Sequence, residues 1–279
     1  MNRTFDVEKA LFVYFPEMIK FLDNNTFKRN KWQKINNSLK AHLKKREDDF
    51  YANGNYLKVE TNIYDIIVGL SNGKTSPDGY YQYLKILFHR LNRSLLPEER
   101  QKLRHTLYLV LINFDNKYRN FIGELSVLNT IRESNENLRL IAVEKTKIAD
   151  NNTADFTFEN IITGEIELVE IVNIHEYETT EDFDILRSVL GKIDKKLLEK
   201  TRGKSEFNKF TLIPVFWGLV DDMKKMNEIF KTQKVTLPNN VLEPLCYCSF
   251  AGPEFPIHRF SKISELFTDG EIEVVKGFN

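Results

Sequence analysis

Cysteine is scarce in this sequence: its 279 residues include only Cys246 and Cys248. Two cysteines spaced two positions apart cannot form the disulfide framework of a small secreted domain, so the sequence predicts a reducing, cytoplasmic location. Long apolar runs are lacking too, and none reaches the ~18 residues that indicate a membrane-spanning helix. The polar N-terminal residues do not resemble a signal peptide. No internal repeat or low-complexity segment is present. These absences exclude disulfide-rich and membrane-spanning classes.

Net charge is also absent overall, since 40 Lys and Arg balance 40 Asp and Glu. The balance is uneven along the chain, however. Residues 1–120 contain 21 basic and 13 acidic side chains, whereas residues 121–279 contain 19 basic and 27 acidic ones. The first part therefore suits a polyanionic partner, and the second could bind a metal ion. With 42% hydrophobic residues and 21 Phe, the chain has enough apolar material for one large core or two ordinary ones.

Residues 1–116 are predicted to form a basic helical region. Apolar residues recur at helical spacing in several segments, most clearly in residues 26–49. This basic helix is predicted either to contact nucleic-acid phosphates or to be a solvated face. Phe27 and Trp32 lie among the cations and favour nucleic acid, because aromatic rings can stack on bases. The candidate nucleic-acid-binding residues are Lys28, Arg29, Lys31, Lys34, Lys44 and Lys45.

Residues 117–279 are predicted to form an α/β domain. A helix over residues 120–132 precedes a strand over 138–143, and a hairpin follows around Thr163-Gly164. A helix over 181–200 then leads to the apolar segment KFTLIPVFW at 209–217, which is typical of a strand buried on both faces. Another helix and an apolar strand at 244–250 follow. This order predicts a sheet flanked by helices.

Three acidic residues occupy notable places in the α/β part. Glu124 lies in the first helix, Asp155 in the first hairpin strand and Glu170 in the second. Neighbouring strands are ~5 Å apart, so two hairpin carboxylates can reach one ion. Mg²⁺ prefers oxygen ligands, and a bound cation can assist phosphodiester hydrolysis. The hairpin therefore predicts a Mg²⁺ or Mn²⁺ site.

The ordered set of GEL at 123–125, a strand, TADF at 153–156 and ELVEIV at 167–172 resembles the PD-(D/E)XK, or restriction-endonuclease-like, nuclease superfamily. The resemblance covers roughly residues 117 to 220. It implies a mixed sheet flanked by helices, with Asp155 and Glu170 as metal ligands and Glu124 as an accessory catalytic acid. It also implies metal-dependent phosphodiester hydrolysis, with DNA as the expected substrate.

Val172 departs from this resemblance, because the family places a catalytic lysine there. Lys192 and Lys196, which share a face of the following helix, are candidates to replace it, and Lys195, Lys145 and Lys147 are further ones. The alternative is a catalytically degenerate nuclease-fold protein that binds nucleic acid or a protein partner. A homodimer also stays open, as does a third class, an interaction protein whose helical part is the working part.

Overall fold

The structure is a computed structural model of the 279-residue chain. It describes residues 5–22, 27–54, 62–72, 79–114, 117–149, 152–175, 182–201, 210–218, 220–232, 235, 237–250 and 257–266. Within these ranges, no helix is both long enough and apolar enough to cross a bilayer.

The chain divides into two units. The first comprises Met1–Pro77 and Leu84–Leu125, and the second comprises Asp78–Tyr83 and Ser126–Asn279. The division passes through two helices rather than through a linker. These are α5 (Gly79–Ser94) and α8 (Lys117–Ser134).

The described part of the first unit is helical. Its longest helix, α3, runs from Arg29 to Ala52 and buries Trp32, Ile35 and Leu39 along one stripe, as its apolar spacing predicts. The other helices of this part of the chain are α1 (Val7–Tyr14), α2 (Pro16–Ile19), α4 (Ile63–Ser71), α6 (Pro97–Lys102) and α7 (Arg104–Ile112).

A six-stranded mixed sheet forms the centre of the second unit, with strand order β1-β4-β5-β6-β7-β8. The pairs β5–β6 and β6–β7 are parallel, and the other neighbouring pairs are antiparallel. The described residues thus confirm a mixed α/β architecture preceded by a helical region. The strands of the sheet are β1 (Leu138–Val143), β4 (Phe156–Asn160), β5 (Ile166–His175), β6 (Thr211–Trp217), β7 (Leu245–Phe250) and β8 (Ile257–Lys262).

The hairpin between β4 and β5 is confirmed. Its turn contains Gly164 at φ +73°, a left-handed conformation that glycine adopts without steric cost. The ladder pairs Phe156 with Val169 and Thr157 with Leu168. Continuing this register by one residue places Asp155, just before β4, opposite Glu170 of β5. A second, short antiparallel pair, β2 (Lys147–Ala149) with β3 (Asn152–Thr153), precedes the hairpin.

Helices α9 (Asp182–Thr201) and α10 (Val220–Thr232) connect the parallel strands. They share an apolar core with the sheet face that carries Leu168, Val172 and Ile174 of β5. Strand β6 is buried from Leu212 to Trp217, as predicted for a central strand. The apolar residues of this core that come from α9 are Ile185, Val189, Ile193 and Leu197.

Both cysteines lie in this core on β7 as free, buried thiols. Burial raises the pKa of the Cys248 thiol to about 12 and that of Cys246 well above its ordinary value. Thiolate is the reactive form of cysteine. Neither side chain is therefore suited to nucleophilic chemistry at neutral pH.

Candidate acid and lysine site

Asp155 is held in place by backbone contacts on both sides of the hairpin. Its carboxylate oxygen Oδ2 accepts a hydrogen bond of 2.7 Å from the backbone N–H of Ile171. Its own carbonyl oxygen accepts a bond of 3.0 Å from the N–H of Glu144, a residue with the left-handed φ of +49°. Glu144, which directly follows β1, and Ile171 of β5 together fix where Asp155 lies.

Glu170 lies on the face of β5 that packs against α9, and its exposed fraction is 0%. Its neighbours on the same face, Leu168 and Val172, are apolar. A buried carboxylate in apolar surroundings is expensive unless cations or hydrogen-bond donors compensate for the lost hydration. The compensation comes from α9.

Two lysines of α9 supply that positive charge. Lys196 Nζ lies 2.7 Å from Glu170 Oε1, and Lys200 Nζ lies 2.8 Å from the same oxygen. The two lysines are four residues apart, so both side chains project from one face of the helix. Both oxygens of Glu170 are buried and neither has a hydrogen bond from the described residues, so the two ammonium groups contact Oε1 as ion pairs.

Lys200 also links this site to the preceding strand pair. Its ammonium donates a 2.7 Å hydrogen bond to the carbonyl oxygen of Thr153. Asn152 Nδ2 donates in return to the carbonyl oxygen of Glu199, at 2.6 Å. The C-terminal turn of α9 is thereby attached to the segment that leads directly into Asp155.

The carboxyl groups of Asp155 and Glu170 interact electrostatically. Burial, and after it the negative charge of Glu170, together raise the pKa of Asp155 from its ordinary value of 3.8 to about 7. Lys196, Lys200 and the Ile171 N–H oppose these effects in part. Asp155 therefore changes its charge near neutral pH, which is unusual for an aspartate.

Lys192 and Glu124 were also predicted from the sequence as site residues. Lys192 is exposed on α9, and Glu170 has its ion pairs with the lysines one and two turns further along. Glu124 is half-buried on α8, within the first unit. Lys200 was missed by the sequence reasoning, although its i+4 spacing from Lys196 was a usable signal.

Phe27 and Trp32 have a different role from base stacking. Both are buried and pack edge to face with their ring centroids 4.8 Å apart. Their faces therefore belong to the core of the first unit. Lys31 lies over the Phe27 ring at 5.2 Å and over the Tyr108 ring at 5.6 Å, whereas the other five predicted nucleic-acid-binding side chains are exposed. These five are Lys28, Arg29, Lys34, Lys44 and Lys45.

Comparison of the chain with known proteins found no match. No protein-family model, no curated protein and no solved structure matches the chain. Within the described ranges, no group of three or more His, Cys, Asp or Glu side chains is arranged to hold a metal ion. The candidate site consists of the two acids Asp155 and Glu170 and the two lysines Lys196 and Lys200.

The raised pKa of Asp155 predicts that the folding stability depends on pH. Between pH values near 4 and 7, the unfolded chain loses this proton while the folded chain keeps it, so folding stability falls as pH rises. Asp155→Asn removes this effect, and its amide oxygen can still accept from Ile171. Since solvent reaches part of Asp155, we expect the variant to be more stable at alkaline pH by about 2 kcal/mol, half of the ceiling set by the shift.

Urea unfolding measures this difference, with fluorescence of Trp217 as the probe of the second unit. The chain has two tryptophans, so a Trp32→Phe background isolates that signal. The gain should disappear as pH falls toward the ordinary carboxyl range. An Asp155→Asn variant that is equally stable or less stable at alkaline pH would contradict the expected charge state.

Proposed function

We propose that this protein is a metal-dependent nuclease of restriction-endonuclease-like architecture, with DNA as the expected substrate. The observation that carries the proposal is the meeting of Asp155 and Glu170 with two lysines that come from a different element. The family's missing lysine at Val172 leaves a need for a cation, and α9 supplies two. The mixed sheet and its β4–β5 hairpin are compatible with that architecture.

The side chains present suit a hard divalent cation. Asp155 and the buried Oε2 of Glu170 are oxygen donors of the type that Mg²⁺ and Mn²⁺ prefer. Such an ion would neutralise phosphate charge and supply hydroxide from water at neutral pH. Asp155 must be ionised to act as a ligand, so it would bind the ion best above its own pKa of about 7.

The lysines have separate tasks in this proposal. Lys196 is the more exposed of the two, with 25% of its side chain exposed against 16% for Lys200. Its ammonium therefore can turn toward a bound phosphodiester and orient the attacking water. Lys200 is tied to Thr153 as well as to Glu170, and it acts as a positioning residue.

The exposed cations of α3 are proposed to contact nucleic-acid phosphates. Phosphate contacts release counterions, so binding through this helix should weaken steeply as salt rises. This part of the proposal concerns binding alone, and salt-insensitive failure to bind DNA would remove it. An interaction protein whose helical part is the working part would then be favoured.

Purified protein with plasmid DNA, single-stranded DNA or RNA tests cleavage, with Mg²⁺, Mn²⁺ or a chelator. We expect cleavage only with a divalent ion, and Lys196→Met should reduce its rate by roughly 10²-fold, the range of a positioned proton-transfer or orienting group. Lys195→Met is the matched control, because Lys195 is its neighbour on α9 and 76% of its side chain is exposed. Equal rates in the two variants would exclude Lys196.

A second function is favoured by the complete burial of Glu170 and its neutralisation by two cations. These features also suit a charge cluster that stabilises a nuclease-like fold without cleaving. The protein would then bind nucleic acid or a protein partner. Calorimetry distinguishes the two functions, because the absence of Mg²⁺ and Mn²⁺ binding supports the second, whereas titration to about one ion per chain supports the first.

A further inference from the structure

Thr157 has a buried hydroxyl with no hydrogen-bond partner among the described residues. Its exposed fraction is 1%, and its Oγ1 receives and donates no hydrogen bond there. Buried polar side chains are almost always paired with protein, ordered water or an ion, so this hydroxyl calls for a partner from outside the described residues. The functional significance of this hydroxyl depends on its position in the sheet.

Thr157 lies on the same sheet face as the two acids. Residues two apart on a strand share a face, which places Thr157 with Asp155. Its partner across the ladder is Leu168, and Leu168 shares its own face with Glu170. Diagonal neighbours on adjacent antiparallel strands are ~7–8 Å apart, a distance that one small bound species can span.

Buried oxygens without hydrogen bonds from the described residues thus occur together on one small area of the sheet, namely the Thr157 hydroxyl and both oxygens of Glu170. Ala142 of β1 and Leu168 of β5 flank Thr157 in the ladder, and neither has a side-chain donor. Lys196 and Lys200 form ion pairs with Oε1 of Glu170. The remaining partner for the Thr157 hydroxyl and for Glu170 Oε2 is therefore a species bound from solution.

We propose that the Thr157 hydroxyl is a third oxygen donor of the acid site and serves to hold a hydrated divalent cation beside Asp155 and Glu170. This inference rests on the proposed function, since it presupposes a cation at the two acids. Hydroxyl oxygens accept from water and contribute to the oxygen-rich surroundings that Mg²⁺ and Mn²⁺ require. Thr157 acts as a positioning residue, because it does not replace either carboxylate.

Thr157→Val tests the inference, since valine keeps the shape of threonine and removes only the hydroxyl. We expect the dissociation constant for Mn²⁺, measured by calorimetry, to rise by roughly 10- to 100-fold, as it does when supporting groups around a metal are removed. Thr157→Ser retains the hydroxyl and should restore most of the affinity. A Thr157→Val constant within a factor of about two of wild type would overturn the inference.

Thermal unfolding in chelator provides a readout that is independent of metal. No protein hydrogen bond is lost in Thr157→Val, so its midpoint should match or exceed that of wild type. Thr201→Val is the stability control, because Thr201 is equally buried but its hydroxyl donates to the Leu197 carbonyl at 2.8 Å. Its midpoint should fall. A larger fall for Thr157→Val than for Thr201→Val would show that the hydroxyl is bonded within the protein and would overturn the inference.

The two proposals fail in different ways. Wild-type protein that binds no Mn²⁺ removes the proposed nuclease and the role of Thr157 with it. Wild-type binding that Asp155→Asn abolishes but Thr157→Val leaves intact retains the nuclease and removes only Thr157.

Discussion

Replacing Asp155 by asparagine is expected to slow metal-dependent cleavage by about 10³-fold or more, because a lost ligand forfeits several kcal/mol of charge stabilisation in the transition state. Asparagine preserves the acceptor for the Ile171 N–H, so the hairpin should keep its geometry. The loss would therefore report on the missing charge. Initial rates of wild type and variant on one DNA substrate give the ratio.

The same residue should set the pH dependence of the wild-type rate. At a Mn²⁺ concentration well below saturation, the rate should rise about tenfold per pH unit and level off near the Asp155 pKa of about 7. Lys195→Met should show the same profile as wild type. A wild-type rate that does not change across this range, or an Asp155→Asn rate close to wild type, would remove Asp155 from the site.

Removing Lys196 and Lys200 together should have the largest effect on stability. The double variant Lys196→Met and Lys200→Met leaves Glu170 buried without compensation, and breaking a buried ion pair in this way costs about 3–5 kcal/mol. The free energy of unfolding can be measured in urea through Trp217 fluorescence in the Trp32→Phe background. The effect should be confined to the second unit.

Adding Glu170→Met to that double variant should restore the lost stability. Methionine has a similar length to glutamate, and replacing a whole buried charge cluster by apolar residues is often neutral or stabilising. Lys195→Met, whose side chain is exposed, should change stability by less than about 0.5 kcal/mol. A double variant as stable as Lys195→Met would mean that Glu170 needs no cation, contrary to its burial.

The strongly patterned parts of the fold could be predicted from the sequence. Thr163-Gly164 between alternating segments predicted the hairpin, and the continuous apolar run predicted β6. Weakly patterned parts could not be predicted. Helices α6 and α7, for example, meet at Leu103 without a glycine or proline to indicate the break. Strand β8 was missed, because its sequence IHRFSK is short and half polar.

The candidate site was predictable to a similar degree. The i, i+4 spacing predicted that Lys192 and Lys196 share one face of α9, because local helical periodicity fixes which side chains point in the same direction. The contact itself depends on how α9 lies across β5, which no local pattern determines. Thr157 could not be singled out from the sequence. Its significance comes from the lack of a hydrogen-bond partner for its buried hydroxyl, which only the folded structure shows.

The shared oxygen of Glu170 has a consequence for how ligands would bind under the proposed function. Lys196 and Lys200 both neutralise Oε1 in the protein alone. A cation that shares in this neutralisation would release the ammonium group of Lys196 for phosphate, and a bound polyanion would in turn draw Lys196 away from Glu170. Metal and nucleic acid should therefore bind cooperatively, and each should raise the affinity of the other by the same factor.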